Sequence, residues 1–285
     1  MSALNSILIT GGAGYVGSVL VNNLVKQNYD VRVVDSLVYG NDGISKLIDD
    51  KKIKFFNLDI RETESLSNTV KNVDCVIHLA AIAHTTSSVV MEINSLMTKN
   101  ITNAFLNKKI KFIFFSSVAV YGEANRVFPI KTTDFCKPYS SYGLGKLKDE
   151  EIISLSFKDF IILRLCPVIE GDDTDLLKRV YLPKTKIKYK SSYNRAYSFL
   201  SHRTIFKSIN SIIHENEITN KTINLKDPSN YNESDILKKY NGKEVKIPLL
   251  ISMPLFYFLN LFSFFPKIYT INCLLTKMLK SNTYE

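Results

Sequence analysis

The amino-acid sequence predicts an α/β fold: a doubly wound parallel sheet with a small mixed region at its carboxy-terminal side. Two observations carry this. Short apolar runs rich in β-branched and aromatic residues recur from Ile7 to Leu165, separated by segments of helical spacing, which is the pattern of successive βαβ units. Beyond Pro167 that alternation gives way to short segments rich in Tyr, Lys and Pro.

Ile7-Leu8-Ile9 is wholly apolar and stops at glycines, as expected of a strand buried on both faces. From about Gly14 to Gln27 the apolar positions Val16, Val19, Leu20, Leu24 and Val25 have helical spacing. A second strand, Val31–Val34, ends at Asp35, and a third, Ile53–Phe56, ends near Asp59. Cys75–Leu79, Phe112–Phe115 and Phe160–Leu165 read as the fourth, fifth and sixth, and Thr222–Leu225 as a seventh that returns to the main sheet. The domain boundary is expected at 166, with residues 1–166 forming the main domain and 167–285 the smaller region.

The chain has 285 residues, enough for one large domain with an appendage. Its net charge of +10 comes from scattered lysines with no dense basic block interleaved with aromatics, so nucleic acid is not an expected partner. Cys75, Cys136, Cys166 and Cys273 are widely spaced, which suggests neither a disulfide framework nor a metal site. The amino terminus runs directly into a strand without the pattern of a secretory leader, and a reducing, cytoplasmic setting is expected. Ile247 to Pro266 carries no charge and has about the length that spans a bilayer. Pro248, Pro254, Asn260 and Ser263 interrupt it, so helices packed on the small region are preferred over peripheral membrane contact, and both over a span.

Gly11, Gly14 and Gly17 lie between the first strand and the first helix, and Gly12-x-Gly14-x-x-Gly17 satisfies the dinucleotide fingerprint of a Rossmann-like fold. Glycines there let the backbone turn sharply and approach a pyrophosphate, which the helix amino terminus, opening at Tyr15 and Val16, attracts with free N–H groups. Asp35 ends the next strand 18 residues past Gly17. A carboxylate there suits a ribose 2′-hydroxyl and repels a 2′-phosphate, which favours NAD over NADP.

Tyr142 and Lys146, four residues apart, share a face if they lie on a helix. A neighbouring ammonium lowers the pKa of a phenol, which lets tyrosine take a proton from a hydroxyl as hydride leaves the same carbon. Ser117, after the fifth strand, supplies a hydroxyl to orient the same oxygen.

With these pieces the chain resembles the extended short-chain dehydrogenase/reductase family, in its nucleotide-sugar epimerase/dehydratase branch. The matching stretches are Thr10–Gly17, Asp35, Leu58–Arg61, His78–Ala81, Asn94, Ser116–Gly122, Tyr142–Lys146 and Leu163–Pro167, in the family's order. The resemblance implies that Ser117, Tyr142 and Lys146 are catalytic. It also implies that Asp59 and Ile60 flank the adenine, that Leu79, Ala80 and Ala81 line the cofactor cleft, and that Pro167 borders the nicotinamide. Asn94 resembles a structural asparagine of the family.

The dehydratases of this branch carry Thr-Asp-Glu where this chain has Ser117, Val118 and Ala119. Without that acid/base pair, what the resemblance implies is hydride chemistry at hexose C4 of a nucleotide-diphosphate sugar. A UDP-hexose 4-epimerase is preferred. The alternatives are a 4-ketoreductase of surface-polysaccharide biosynthesis, suggested by Asn224–Pro228 and Ile247–Leu250, and a non-catalytic NAD(P)-binding regulatory protein. Arg195 opens Arg-Ala-Tyr-Ser-Phe-Leu, similar to the segment whose arginine contacts the substrate diphosphate, although Ser201-His202-Arg203 replaces the aspartate that usually follows. A plain surface arginine is the competing reading, and a homodimer stays open.

Overall fold

The computed structural model describes residues 6–62, 66, 71–82, 88–122, 128–169, 181–182, 186–190, 194–215, 220–238, 241–246, 258 and 265–285. The chain divides into two compact units. The first comprises Met1–Ser117, Leu144–Arg164 and His202–Ile223, and the second Val118–Gly143, Leu165–Ser201 and Asn224–Glu285. The two units interleave along the sequence. Residues 118–143 group with the later segments, and 202–223 group with the earlier ones.

Seven strands form the main sheet: β1 (Ser6–Thr10), β2 (Asp30–Asp35), β3 (Lys54–Asn57), β4 (Cys75–His78), β5 (Lys111–Ser117), β6 (Phe160–Leu165) and β10 (Lys221–Leu225). Their order is β10-β6-β5-β4-β1-β2-β3, and β3-β2-β1-β4-β5 pair in parallel. All of β1 and β4 is buried, as their apolar stretches Ile7–Ile9 and Cys75–Ile77 in the middle of a covered parallel sheet require. The sheet order reverses at β1 and β4, whose carboxyl ends open on the crevice that ligands occupy in such folds.

Helix α1 (Tyr15–Lys26) buries Gly17, Leu20, Val21 and Leu24, a stripe at i, i+3, i+4 and i+7. The face is rotated from the expected one, taking in Val21 and leaving Val16, Val19 and Val25 at its half-buried margins. The short α2 (Ser45–Asp49) follows β2, and α3 (Ser88–Phe105) follows β4. Met97, Ile101 and Phe105 of α3 join Leu8, Val76, Phe112, Phe114 and Ile162 in the core of the first unit. Helix α4 (Ser141–Ser156) contributes Ile153 to that core.

Helix α5 (His202–His214) lies within the stretch that the sequence marks only as mixed, yet it belongs to the first unit. It buries Ile205, Ile209, Ile212 and Ile213. Its carboxyl end is closed by buried Lys111 of β5, whose Nζ donates to the carbonyls of Ile212 (2.6 Å), Ile213 (3.0 Å) and Glu215 (2.8 Å). A lysine there satisfies carbonyls that a helix end leaves open and meets the negative end of the dipole.

The second unit carries two smaller sheets, β11 (Tyr231–Asn232) with β9 (Ala196–Tyr197), and β12 (Lys243–Lys246), β8 (Ile187–Lys190) and β7 (Tyr181–Leu182). Its helices are α6 (Glu233–Lys238) and α7 (Pro266–Leu279). Tyr197, Phe199 and Leu237 form one of its cores. Of the uncharged segment 247–266 the described residues are Phe258, Phe265 and Pro266, and both phenylalanines are exposed. No helix among the described residues is long and apolar enough to cross a membrane.

Candidate active site

The glycine turn has two kinds of glycine in it. Gly11 has φ +74° and a Cβ on it would stand 2.7 Å from the backbone nitrogen of Ala80. A Cβ on Gly17 would stand 2.2 Å from the Gly11 oxygen. Those two positions are closed to any side chain by the turn's own packing. Gly14 differs. Its φ of −70° and ψ of 176° suit any residue, and a Cβ there would meet nothing nearer than 3.4 Å. Gly14 is the N-cap of α1 and brings no capping side chain, so the first N–H groups of the helix are left to an anion that can come close.

Asp35 sits at the end of β2 with both oxygens engaged. Its Oδ2 accepts from the Ala13 N–H and its Oδ1 from the Leu37 N–H, each at 2.9 Å. The carboxylate is thereby fixed against the glycine turn itself.

Around the expected adenine position the two residues diverge. Asp59 is partly exposed and chelated by Arg61, which holds its carboxyl below the ordinary range. The Ile60 side chain lies in the core with Leu66 and Val73, so only its backbone faces outward chemistry. Leu79, Ala80 and Ala81 follow β4, all half-buried. The Leu79 N–H donates to the Thr10 carbonyl (3.1 Å) and that of Ala80 to Thr10 Oγ1 (3.4 Å). Asn94 pins the next residue from both sides, accepting from the Ile82 N–H (2.9 Å) and donating to its carbonyl (3.1 Å). Tyr15 is exposed and lies edge-on to His202 at 4.8 Å between ring centroids.

Ser117 ends β5 and is half-buried. The 3-10 turn Val118–Val120 that follows is apolar, with Val118 and Val120 buried. Tyr142 and Lys146 both lie in the first two turns of α4 and share its face. Lys146 is 4% exposed, donates to the Phe115 carbonyl at 2.8 Å and lies over the Phe114 ring at 4.6 Å. Burial lowers its pKa, and the carboxylates of Asp149 and Glu150 work against that. The neighbouring Ser116 hydroxyl donates to Glu150, which is paired with buried Arg164 at 2.7 and 3.0 Å. This trio ties α4 to β5 and β6 beside the Ser117 end of the sheet. The sequence offers no sign of it beyond the acidic run Asp149-Glu150-Glu151 after Lys146.

Arg195 is not a surface residue. It is fully buried in the second unit, with its guanidinium on the Glu233 carboxylate and its carbonyl accepting from the Glu233 N–H at 2.7 Å. The reading of Arg195 as a plain surface arginine is corrected accordingly, and a buried pair of this kind is costly to break from either side. Glu233, thirty-eight positions on, carries no local signal of that partnership. Pro167 is half-buried and its carbonyl accepts from the Leu200 N–H.

The profile of the NAD dependent epimerase/dehydratase family matches residues 7–173. The UDP-glucose 4-epimerase of Halalkalibacterium halodurans is 36% identical over 155 residues, covering 52% of this chain and 45% of the relative. The chain spans about half the length, or less, of the curated relatives it matches. Among solved structures, the UDP-Glc/GlcNAc 4-epimerase of Campylobacter jejuni has a TM-score of 0.74 at 22% identity, over 86% of this chain and 87% of that one. Bordetella bronchiseptica WbmG, crystallised with NAD and UDP, has a TM-score of 0.70 at 20% identity, over 85% and 80%. At such identities the likeness is one of fold.

Proposed function

Because the chain belongs to the NAD dependent epimerase/dehydratase family, we propose that it is an NAD-dependent nucleotide-sugar 4-epimerase acting on a UDP-linked hexose. The observation that carries the reading is the set Ser117, Tyr142 and Lys146 followed by apolar Val118 and Ala119 in place of an acid/base pair. Such a set moves one proton and one hydride at one carbon and has no group to expel water.

The residues present fit the cofactor. Gly14 leaves the start of α1 open for a pyrophosphate, and Asp35 is held as an acceptor for ribose hydroxyls, which excludes a 2′-phosphate. Bound there, NAD supplies reversible hydride transfer at C4. The chain supplies the rest. Tyr142, as phenolate, takes the proton from the C4 hydroxyl and returns it when the hydroxyl re-forms on the opposite face. Lys146 stabilises that phenolate by its charge, and Ser117 orients the C4 oxygen by a hydrogen bond.

A second reading, a 4-ketoreductase, draws support from Arg195. Its withdrawal into an ion pair with Glu233 departs from an arginine that grips a substrate diphosphate. One experiment separates them. An epimerase purifies with NAD and interconverts UDP-glucose and UDP-galactose, or their N-acetyl forms, with no added cofactor. A reductase consumes NAD(P)H stoichiometrically with a UDP-4-keto sugar. Turnover that survives Tyr142→Phe would refute the assignment of the base.

A further inference from the structure

Behind Lys146 the first unit holds a run of buried polar groups. Thr10 Oγ1 meets His78 Nδ1 at 2.6 Å, and His78 Nε2 meets Thr98 Oγ1 at 3.2 Å. The hydroxyls of Thr98 and Ser95, both on α3, bear on the carboxyl of Asp149. Asp149 is 1% exposed and lies on α4 one turn after Lys146, a spacing that puts Cβ atoms about 5–6 Å apart. Its Oδ1 and the Ser95 Oγ make no hydrogen bond among the described residues.

A carboxylate buried with so few donors needs a cation, or it gives up its charge. The charged groups around it are few. On its own helix stand Lys146, exposed Lys148 and Glu150, and the last is already held by Arg164 and Ser116. Helix α3 offers only the two hydroxyls. Strand β4 offers His78, which burial first and the Lys146 charge second push down to about 3, so it is neutral. Lys146, one turn earlier on the same helix, is therefore the buried cation whose charge bears on Asp149. Of the two carboxylates bearing on Lys146, Asp149 is the one with no arginine of its own among the described residues.

We propose that Asp149 is a positioning residue that acts through Lys146: its carboxylate keeps the buried ammonium charged, and so keeps the Tyr142 phenol ionisable. The proposal rests on the catalytic reading of Tyr142 and Lys146 given above. Burial also pushes the Asp149 carboxyl up to about 6, so mild acid withdraws the support.

The test uses the NAD-loaded enzyme with Asp149→Asn and Asp149→Glu. In Asp149→Asn the alkaline limb of the kcat profile, where Lys146 loses its proton, moves down by about one pH unit or more, the usual effect of removing a nearby opposite charge. Asp149→Glu keeps the limb near its wild-type place. A uniform loss of kcat with the limb unmoved would mean that Asp149 only packs, and would overturn the proposal. A second measurement needs no turnover. In protein labelled with 13C-lysine, the Lys146 resonance, assigned by its absence from Lys146→Met, titrates lower in Asp149→Asn. An unchanged titration overturns the proposal whatever the activity. A wild type that turns over none of the UDP-sugars would instead count against the functional reading, with the resonance still testing Asp149. Should Asp149→Asn not fold, Asp149→Ser is read the same way.

Discussion

Substituting Gly17 and Gly14 by alanine separates a glycine required by the fold from one required by the ligand. The Gly17→Ala methyl would stand 2.2 Å from the Gly11 carbonyl oxygen, where real contacts essentially never fall below 3.0 Å. The backbone of the turn has to retreat by roughly 1 Å, an overpacking that costs about 1–3 kcal/mol. The oxygen that moves is the one accepting from the Gly14 N–H, so the retreat carries the phosphate-facing turn with it. NAD affinity then falls roughly tenfold to a hundredfold, at ~1.4 kcal/mol per factor of ten. Gly14→Ala places its methyl 3.4 Å from the same oxygen, an ordinary contact, on a backbone that any residue adopts. Stability of the NAD-free protein stays within about 0.5 kcal/mol of wild type, while NAD affinity falls because the methyl intrudes before the open end of α1. The assay is urea unfolding of NAD-stripped protein beside an NAD titration of each variant. The reasoning fails if NAD-free Gly17→Ala is as stable as wild type, or if Gly14→Ala destabilises the protein while binding NAD normally.

Three other outcomes follow from the same structure. The Asp149 carboxyl is pushed from its ordinary 3.8 up to about 6 in the fold, so the folded chain holds that proton more tightly than the unfolded one. The stabilisation is complete below pH ~4 and is lost as pH rises through ~6, so the unfolding free energy of wild type minus Asp149→Asn falls by roughly 3 kcal/mol from pH 4 to 7; a flat difference refutes it. Lys111→Met leaves three carbonyls at the end of α5 without their donor and lowers stability by about 3 kcal/mol, near 1 for each lost bond, as read by urea unfolding. Asp35→Ser loses the pair of acceptors that bridges Ala13 and Leu37, so NAD affinity drops by roughly tenfold and the preference over NADP narrows; unchanged selectivity in a titration with both cofactors would count against the role of Asp35.

The main sheet was readable because each strand is a run of apolar residues whose period and length are local properties. The expected Phe160–Leu165 strand coincides with β6, and Thr222–Leu225 lies inside β10 of the main sheet. The rotation of α1 was readable only in part: apolar Val21 lies on the buried face, but Gly17 counts as neutral in a pattern of apolar residues and yet packs against the turn before it. Helix α5 has a regular isoleucine spacing of its own. What hid it was the expectation that the chain stays in the small mixed region from Pro167 until Thr222, whereas it rejoins the first unit already at His202.

By itself the sequence determined the glycine turn, its acidic partner and the Tyr-x-x-x-Lys pair, since each is a short spacing that the backbone turns into geometry without outside help. Tertiary structure alone decided which charges are available for chemistry. Arg195 and Glu233 are thirty-eight positions apart, and nothing near either marks them as a buried pair. Asp149 reads as one acid in a solvated run until α3 covers it and leaves the Lys146 ammonium as its counter-charge. Burial and long-range pairing set the cost of a charge, and both come into being only when the chain has folded.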